Sequence, residues 1–347
     1  MKARRDEGLA FLLQYENIAW YEEGTVRILD RRVYPIETKY VICKSHGEVA
    51  QAIADMVTQS GGPYVAAAMG MALAAHEAKN MAEGPFREYM EKEAYTLTHA
   101  RPTTVEDMMR VVEKSLKAME EALSSGKSVS DIEDVMFDAA IDYLNSGVEE
   151  NDKTAVYLAD KIPQNGTIMT QCFAETIVGT LLRECRRRNN EIKVICPETR
   201  PYYQGARLTA SVACDMGFDT TVITDNMPGY TLQQKHVDLF TSAADVITMD
   251  GFVVNKVGTF QIACLAHYWG IPYYTTGIPN KAHPTIDTVE IELRDPELVT
   301  ESLGKKHTMA GVKGYYPAFD VTPPKFISGI VTDKGIYSPY ALNQYYE

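Results

Sequence analysis

The chain has no apolar run near the roughly 18 residues that a membrane-spanning helix needs, so no segment of it reads as transmembrane. It has no cysteine pair at C-x-x-C spacing. Cys43, Cys172, Cys185, Cys196, Cys214 and Cys264 are scattered, which suits reduced thiols and argues against a disulfide framework or a zinc knuckle. The G-x-G-x-x-G fingerprint is missing, so no dinucleotide is called for. His46, His76, His99, His236, His267, His283 and His307 keep no ligand spacing, so the expectation is no metal and no other cofactor. Positive charge is short as well. The net charge of −13 disfavours nucleic acid and anionic membranes as partners, and requires any anion site to be a local basic patch in an acidic body. The N-terminus, MKARRDEGLAFLLQYEN, begins basic, but Gln14, Tyr15 and Glu16 break its apolar stretch and no small-residue cleavage site follows. It reads as mature helix or strand, not as a signal peptide, and the expected compartment is the cytoplasm.

What is present is a globular composition, 45% hydrophobic and 23% charged over 347 residues, enough for two domains with separate cores. The opening segment IAWYEEGTVRILDRRVYP alternates like β-strand, with a turn at Glu23-Gly24. Helical periods follow. Residues 48–59 are amphipathic, 66–79 are small and apolar in a way that favours close helix packing, and 105–123 repeat their apolar positions at helical spacing. Residues 128–144 carry a Ser128 cap, and Gly147 is expected to close that helix. From about residue 150 the rhythm changes. Short apolar runs TIMTQC, IKVICP, TTVITD, DVITM and IPYYTT alternate with helix-length segments. Strands buried on both faces look this way, so the reading is an α/β fold: a Rossmann-like, doubly wound parallel sheet after a mostly helical domain with a short β lead-in. The boundaries expected are 1–148 and 149–347.

Ligands bind such sheets beyond the carboxyl ends of the strands, which draws attention to Cys172, Glu198-Thr199-Arg200, Asp225-Asn226 and Asp250-Gly251. In PETRPYYQGARLTA, Pro201 stops a strand and Gln204-Gly205 opens a helix whose free N–H groups can hold hydroxyl or phosphate oxygens. In SAADVITMDGFVVNKVGT, Lys256 falls just before a helix start, a natural place for a phosphate ligand. Asp245 is read either as a carboxyl in a less polar setting, protonated and able to act as an acid, or as a turn cap. Cys172 is read either as a thiolate able to move a proton or as a buried structural cysteine. Gly61-Gly62-Pro63 and Arg101-Pro102-Thr103, each before a helix, are weaker candidate anion contacts.

Taken in order, these segments resemble the methylthioribose-1-phosphate isomerase family, which is related to ribose-1,5-bisphosphate isomerases and to the alpha, beta and delta regulatory subunits of initiation factor 2B. The lead-in from Trp20 to Pro35, QSGGPYVAAAMGMALAA, ARPTTV, ETRPYYQGARLTA, AADVITMDGFVVNKVGT and YPAFDVTPPKFISGIVTDKG match the family's motifs over nearly the whole chain. The resemblance implies that Cys172 and Asp245 are the catalytic pair. It implies that Gly61, Gly62, Arg101, Gln204, Asn255 and Lys256 hold the phosphate and sugar hydroxyls of a small sugar phosphate. It further implies an aldose–ketose isomerase of methionine salvage that works as a homodimer. The reaction would open the ring of a C1-phosphorylated pentose and move hydrogen from C2 to C1, by proton relay or hydride shift.

Five positions depart from the family pattern. Ser60 stands where the family carries Arg, Tyr64 replaces a small residue, and Phe173 and Glu175 follow Cys172 in place of Asn and Gly. Glu106 also replaces an Asn after the Arg-Pro-Thr motif. The departures cluster on the substrate side. They leave open 5-deoxyribose 1-phosphate or ribose 1,5-bisphosphate as the substrate, and a non-catalytic regulatory subunit as the contrasting class.

Overall fold

The computed structural model describes residues 3–101 and 105–347, those at 106 and 107 by backbone alone. They divide into two compact units, Met1–Glu149 and Glu150–Glu347.

The first unit opens with an antiparallel sheet of β1 (Ala19–Glu22), β2 (Thr25–Leu29) and β3 (Tyr40–Cys43), in that order. Its hairpin turns at Glu23 (φ 47°) and Gly24 (φ 76°), the left-handed pair that a two-residue β-turn requires. Five helices follow: α1 (His46–Ala54), α2 (Gly62–Ala78), α3 (Glu83–Thr98), α4 (Val105–Ser124) and α5 (Ile132–Ala159). The helix expected over 48–59 stops at Ala54, and Met56 turns left-handed (φ 59°). Almost every residue of α2 is buried. Its Gly70 lets Leu97 of α3 reach 2.9 Å from where a Cβ would stand, the close helix packing expected of its composition. The sequence reading passed over α3; its Gly84-Pro85 falls in the first turn, where Pro gives up no hydrogen bond. The Ser128 amide is capped by Asp131 Oδ2 at 2.9 Å. Gly147, expected to close the helix, does not. The helix runs on to Ala159, because its pattern continues through Val148, Ala155 and Leu158, all buried, and outweighs the roughly 1 kcal/mol that one glycine costs.

The second unit is built on a seven-stranded sheet. In chain order its elements begin with β4 (Thr167–Met169), α6 (Thr176–Arg187), β5 (Lys193–Pro197), α7 (Ala210–Asp215), β6 (Asp219–Ile223), α8 (Pro228–Gln234) and β7 (Leu239–Ala243). Next come β8 (Val246–Ile247), β9 (Val253–Lys256), α9 (Thr259–Tyr268) and β10 (Tyr273–Thr276). The chain ends with α10 (Glu297–Thr300), β11 (Glu301–Ser302), β12 (Lys305–Lys306), β13 (Phe319–Thr322), β14 (Gly329–Val331) and β15 (Ile336–Tyr337). The sheet order is β15-β14-β10-β7-β4-β5-β6, parallel except where β15 meets β14. Met169, Ile195, Phe240, Ile262, Ala266, Tyr273 and Ile330 form part of the core against it. This is the mixed, Rossmann-like α/β fold the strand runs imply.

One strand differs from expectation. The run Asp245–Met249 does not enter the parallel sheet. Its β8 pairs antiparallel with β9 in a separate three-stranded sheet, β13-β9-β8. The central position belongs to β7, whose Thr241 and Ser242 dilute its apolar signal although both are buried. Asp250-Gly251 is therefore the hairpin turn between β8 and β9, not a ligand edge. Among the described residues no helix is long and apolar enough to cross a membrane.

Candidate active site

Beyond the carboxyl ends of β4 and β5 the backbone is strained. Cys172 (φ 60°), Glu175 (φ 54°), Thr199 (φ 62°) and Tyr203 (φ 57°) are all left-handed, a region that costs a non-glycine residue about 1–3 kcal/mol. For Thr199 the β-branch makes it a genuine outlier. A hydrogen-bond network holds these turns. The Cys172 amide donates to Thr199 Oγ1 at 3.2 Å, and the Thr209 hydroxyl donates to the Cys172 carbonyl. Asp225 receives the amides of Thr199 and Arg200 on its two oxygens, at 2.8 and 2.7 Å. Gly205 opens a π-helical turn over Gly205–Thr209. A Cβ there would stand 1.8 Å from the Pro197 carbonyl oxygen, so only glycine lets this turn close over the end of β5. Beside it Gln204 is buried, and its Oε1 has no hydrogen-bond partner.

A second side of the site comes from β9 and β13. Lys256 ends β9, is 4% exposed, and places its ammonium 4.7 Å from the centroid of Phe319. Among the described residues no carboxylate pairs with it. Burial pushes its pKa down, the nearby Arg294 adds to this, and Cys172 and Asp245 oppose it. Asn255 Nδ2 donates to Thr259 Oγ1 at 3.0 Å, which fixes its amide at the start of α9. That helix begins at Gly258 (φ 102°), which offers no side-chain cap. Asp320 caps it from β13, its carboxylate receiving the amides of Gly258 and Phe260 at 2.6 and 3.1 Å. Burial raises Asp320 to about 6. Arg294 lies 5.5 Å from the Phe319 centroid and is held by Glu292 through two bonds of 2.8 and 2.9 Å.

Cys172 is enclosed. Burial pushes its thiol up to about 11, against the smaller lowering effects of Lys256 and Arg294. Of the two forms the sequence left open, this favours the neutral thiol over the thiolate. Asp245 lies between β7 and β8, within electrostatic reach of Cys172 and Lys256. It differs from the expected apolar setting: the residue is exposed, because its run leaves the parallel sheet for the β8–β9 hairpin. Phe173 and Glu175 are both buried, Glu175 at the N-cap of α6.

The second unit thus gathers Cys172, Phe173, Glu175, Gln204, Asp245, Asn255 and Lys256. Ser60, Gly61, Gly62, Tyr64 and Arg101 belong to the first unit. There Ser60 is left-handed (φ 57°) and Gly61-Gly62 begins α2. A Cβ on Gly62 would meet Thr58 Oγ1 at 1.8 Å and Arg31 Nη1 at 3.2 Å. Arg31, fully buried, donates to the Gln59 carbonyl at 2.6 Å, so a guanidinium supports this loop from beneath. Pro102 and Thr103 lie outside the described residues, as does the side chain of Glu106. Arg200, flagged by its place after a strand, is spent on structure: it donates to the carbonyls of Leu298, Val299 and Glu301. The sequence reading missed Arg294, Tyr316, Phe319 and Asp320 as site residues. Their only signal was membership of the C-terminal segments that the topology folds back on β9.

Comparison with known proteins gives the chain its family. Residues 59–339 match the model of the Initiation factor 2 subunit family. The methylthioribose-1-phosphate isomerase of Carboxydothermus hydrogenoformans is 35% identical over 336 residues, covering 92% of this chain and 95% of that protein. The crystal structure of 5-methylthioribose 1-phosphate isomerase from Pyrococcus horikoshii superposes with a TM-score of 0.87 at 29% identity, over 100% of this chain and 99% of that one. The structure of translation initiation factor eIF-2B, subunit delta, from A. fulgidus gives 0.81 at 30% identity, over 93% and 96%. Isomerase and initiation factor share the fold almost equally, so overall shape does not separate them, whereas the curated relative matched over nearly its full length carries the isomerase name. The chain belongs to the Initiation factor 2 subunit family and, within it, to the methylthioribose-1-phosphate isomerase family.

Proposed function

We propose that the chain is an aldose–ketose isomerase that converts a C1-phosphorylated pentose, 5-methylthioribose 1-phosphate before 5-deoxyribose 1-phosphate or ribose 1,5-bisphosphate, to the ketose 1-phosphate. The observation that carries this reading is the buried Lys256 ammonium, which no carboxylate pairs with among the described residues, set beside the Cys172 thiol at the sheet's ligand edge. An uncompensated buried cation is costly unless an anion comes to it, and a sugar phosphate supplies that anion. Asn255, Gln204 and the loop amides of the second unit share the phosphate and hydroxyls in this proposal, and Gly61, Gly62 and Arg101 stand as the first unit's own candidate anion contacts. Ser60, Tyr64, Phe173 and Glu175 are assigned to selecting the substituent on C5. The assembly we propose is a homodimer, which light scattering checks directly.

The chemistry follows from the two acid groups. A sugar phosphorylated on C1 has no free aldehyde, so the ring must open first. Asp245, covered once the sugar is bound, gives its proton to the ring oxygen as the bond from that oxygen to C1 breaks. Hydrogen then moves from C2 to C1, and the C2 hydroxyl returns its proton to the Asp245 carboxylate as the C2 carbonyl forms. The resting state of Cys172 favours moving that hydrogen as a hydride. A phosphate neutralising Lys256 would remove one of the charges that lower the thiol, pushing it further from the thiolate that a proton relay needs. The neutral thiol then serves as a non-basic wall that keeps water from the migrating hydrogen.

Proton NMR of the purified chain with each of the three sugar phosphates tests the reading, and conversion of methylthioribose 1-phosphate is the expected result. No conversion of any, by folded and reduced protein, would point instead to a regulatory subunit. Substrate deuterated at C2 tests the route. The label stays in the product under hydride transfer, and its loss to solvent would establish a proton relay.

A further inference from the structure

Tyr316 is 3% exposed, and its hydroxyl is buried without a hydrogen-bond partner. Native proteins rarely leave such a group unsatisfied unless something else is to occupy the partner's place. The ring is firmly positioned. Residues 292–294 and 316–318 pair side by side, with Arg294 N donating to Tyr316 O and Ala318 N to Glu292 O, each at 2.9 Å, and a bridge between Leu293 and Pro317. The Tyr202 ring packs against it, centroids 6.2 Å apart. Two residues on, Ala318 O receives the Val257 amide and Phe319 pairs with Lys256, so Tyr316 is tied directly to the strand that ends in Lys256. Cys172 and Arg294 both lie within electrostatic reach of its hydroxyl, and the Arg294 guanidinium approaches without closing an ordinary hydrogen bond. Two unsatisfied acceptors, Oε1 of Gln171 and Oε1 of Gln204, belong to residues on the same sheet edge. The phenol stays protonated, pushed up to about 12 by burial, and with its acceptors elsewhere it has a hydrogen to give.

We propose that the Tyr316 hydroxyl is a substrate contact, donating a hydrogen bond to the C3 hydroxyl of the sugar beside the reacting C1–C2 edge. The assignment rests on the isomerase reading above. In that reading the C1 phosphate goes to Lys256 and Asn255 and the C2 oxygen to Asp245, which leaves the next oxygen along the sugar, that on C3, for Tyr316. The residue is then a specificity determinant: it selects a sugar with an oxygen at C3 and is indifferent to the group on C5.

The test uses the full chain, wild type and Tyr316→Phe, with the sugar 1-phosphate that the wild type converts and with its 3-deoxy analogue. Without ligand, the variant melts at the same temperature as wild type or higher, because it removes a buried hydroxyl that had no partner. With the full substrate its kcat/KM falls roughly ten- to hundredfold, the size of one lost hydrogen bond to a buried group. Wild type loses about the same factor on the 3-deoxy analogue, and the variant loses nothing more on it. A lowered melting temperature, or an equal loss on both sugars, would show a structural role and overturn the contact. Wild type active with the variant unchanged removes the contact alone. A wild type inert toward every sugar phosphate tried removes the isomerase reading and the contact with it.

Discussion

A thiol raised to about 11 by burial carries a negligible thiolate fraction at neutral pH, which sets Cys172 apart from a nucleophilic or basic cysteine. Its place is fixed by backbone and not by its sulfur: Thr199 holds its amide and Thr209 its carbonyl. The consequence can be measured with iodoacetamide. At pH 8 the exposed Cys214 should be alkylated at an ordinary rate. Cys172, about three pH units below its pKa and so about 0.1% ionised, should stay unmodified in peptide mass spectra, its reaction rising only as pH approaches 11. Rapid modification of Cys172 at pH 8 would sink the neutral-thiol picture and restore the proton relay. At this scale the sequence was legible where a residue follows its strand directly. Cys172 and Lys256 could be picked out because a few residues of local pattern place each at a strand's end. Arg294 and Tyr316 could not, since they meet only through the pairing of 292–294 with 316–318, which no local period announces.

Helix α9 shows the same division one level up. Its start was readable from Val257-Gly258-Thr259, but its cap was not, because Gly258 has no side chain and the capping carboxylate arrives from Asp320, 62 residues on. Likewise β7, the middle of the sheet, was missed for its Thr and Ser, whereas the more apolar 245–249 run was placed in the parallel sheet and folds as a hairpin instead. Strand-like composition reports burial and not which sheet a strand joins. The Asp320 cap has a pH signature. Its folded pKa of about 6 lies above the ordinary aspartate value of 3.8, so between those values the native state binds more protons than the unfolded chain. Stability contributed by this group is therefore present at low pH and is lost as pH rises through 6, by up to about 3 kcal/mol. Asp320→Asn removes the titration and one acceptor at the helix start. The variant should melt below wild type at pH 4.5 and lose most of that deficit at pH 7. A deficit independent of pH, read by thermal melts across this range, would show that Asp320 is ionised throughout.

At the scale of the whole molecule the composition sets a conflict: a chain of net charge −13 that is proposed to bind a phosphorylated sugar. Long-range repulsion by surface carboxylates slows the approach of an anion, and it is screened over about 10 Å at 0.1 M salt. Attraction at the site comes from Lys256, 4% exposed, and from Arg294, its side chain 12% exposed, and buried charges are screened far less. Salt should therefore weaken the repulsion more than the attraction. The kcat/KM for the sugar phosphate should rise, by about twofold or more, between 10 and 150 mM sodium chloride, the reverse of the trend for an enzyme with an exposed basic site. The loop at Ser60 gives the control. Ser60→Arg adds a more exposed positive charge to a turn already backed by the buried Arg31. If that loop faces the phosphate, as its resemblance to the family motif implies, the variant should bind the substrate more tightly at 10 mM salt and lose the advantage by 150 mM. Its kcat/KM would then fall with salt where that of wild type rises. Parallel salt profiles for the two proteins would mean that position 60 does not sense the phosphate. Ser60 would then be a departure in shape, made to admit a different sugar, and the choice among the three candidate substrates would rest on Tyr64, Phe173 and Glu175.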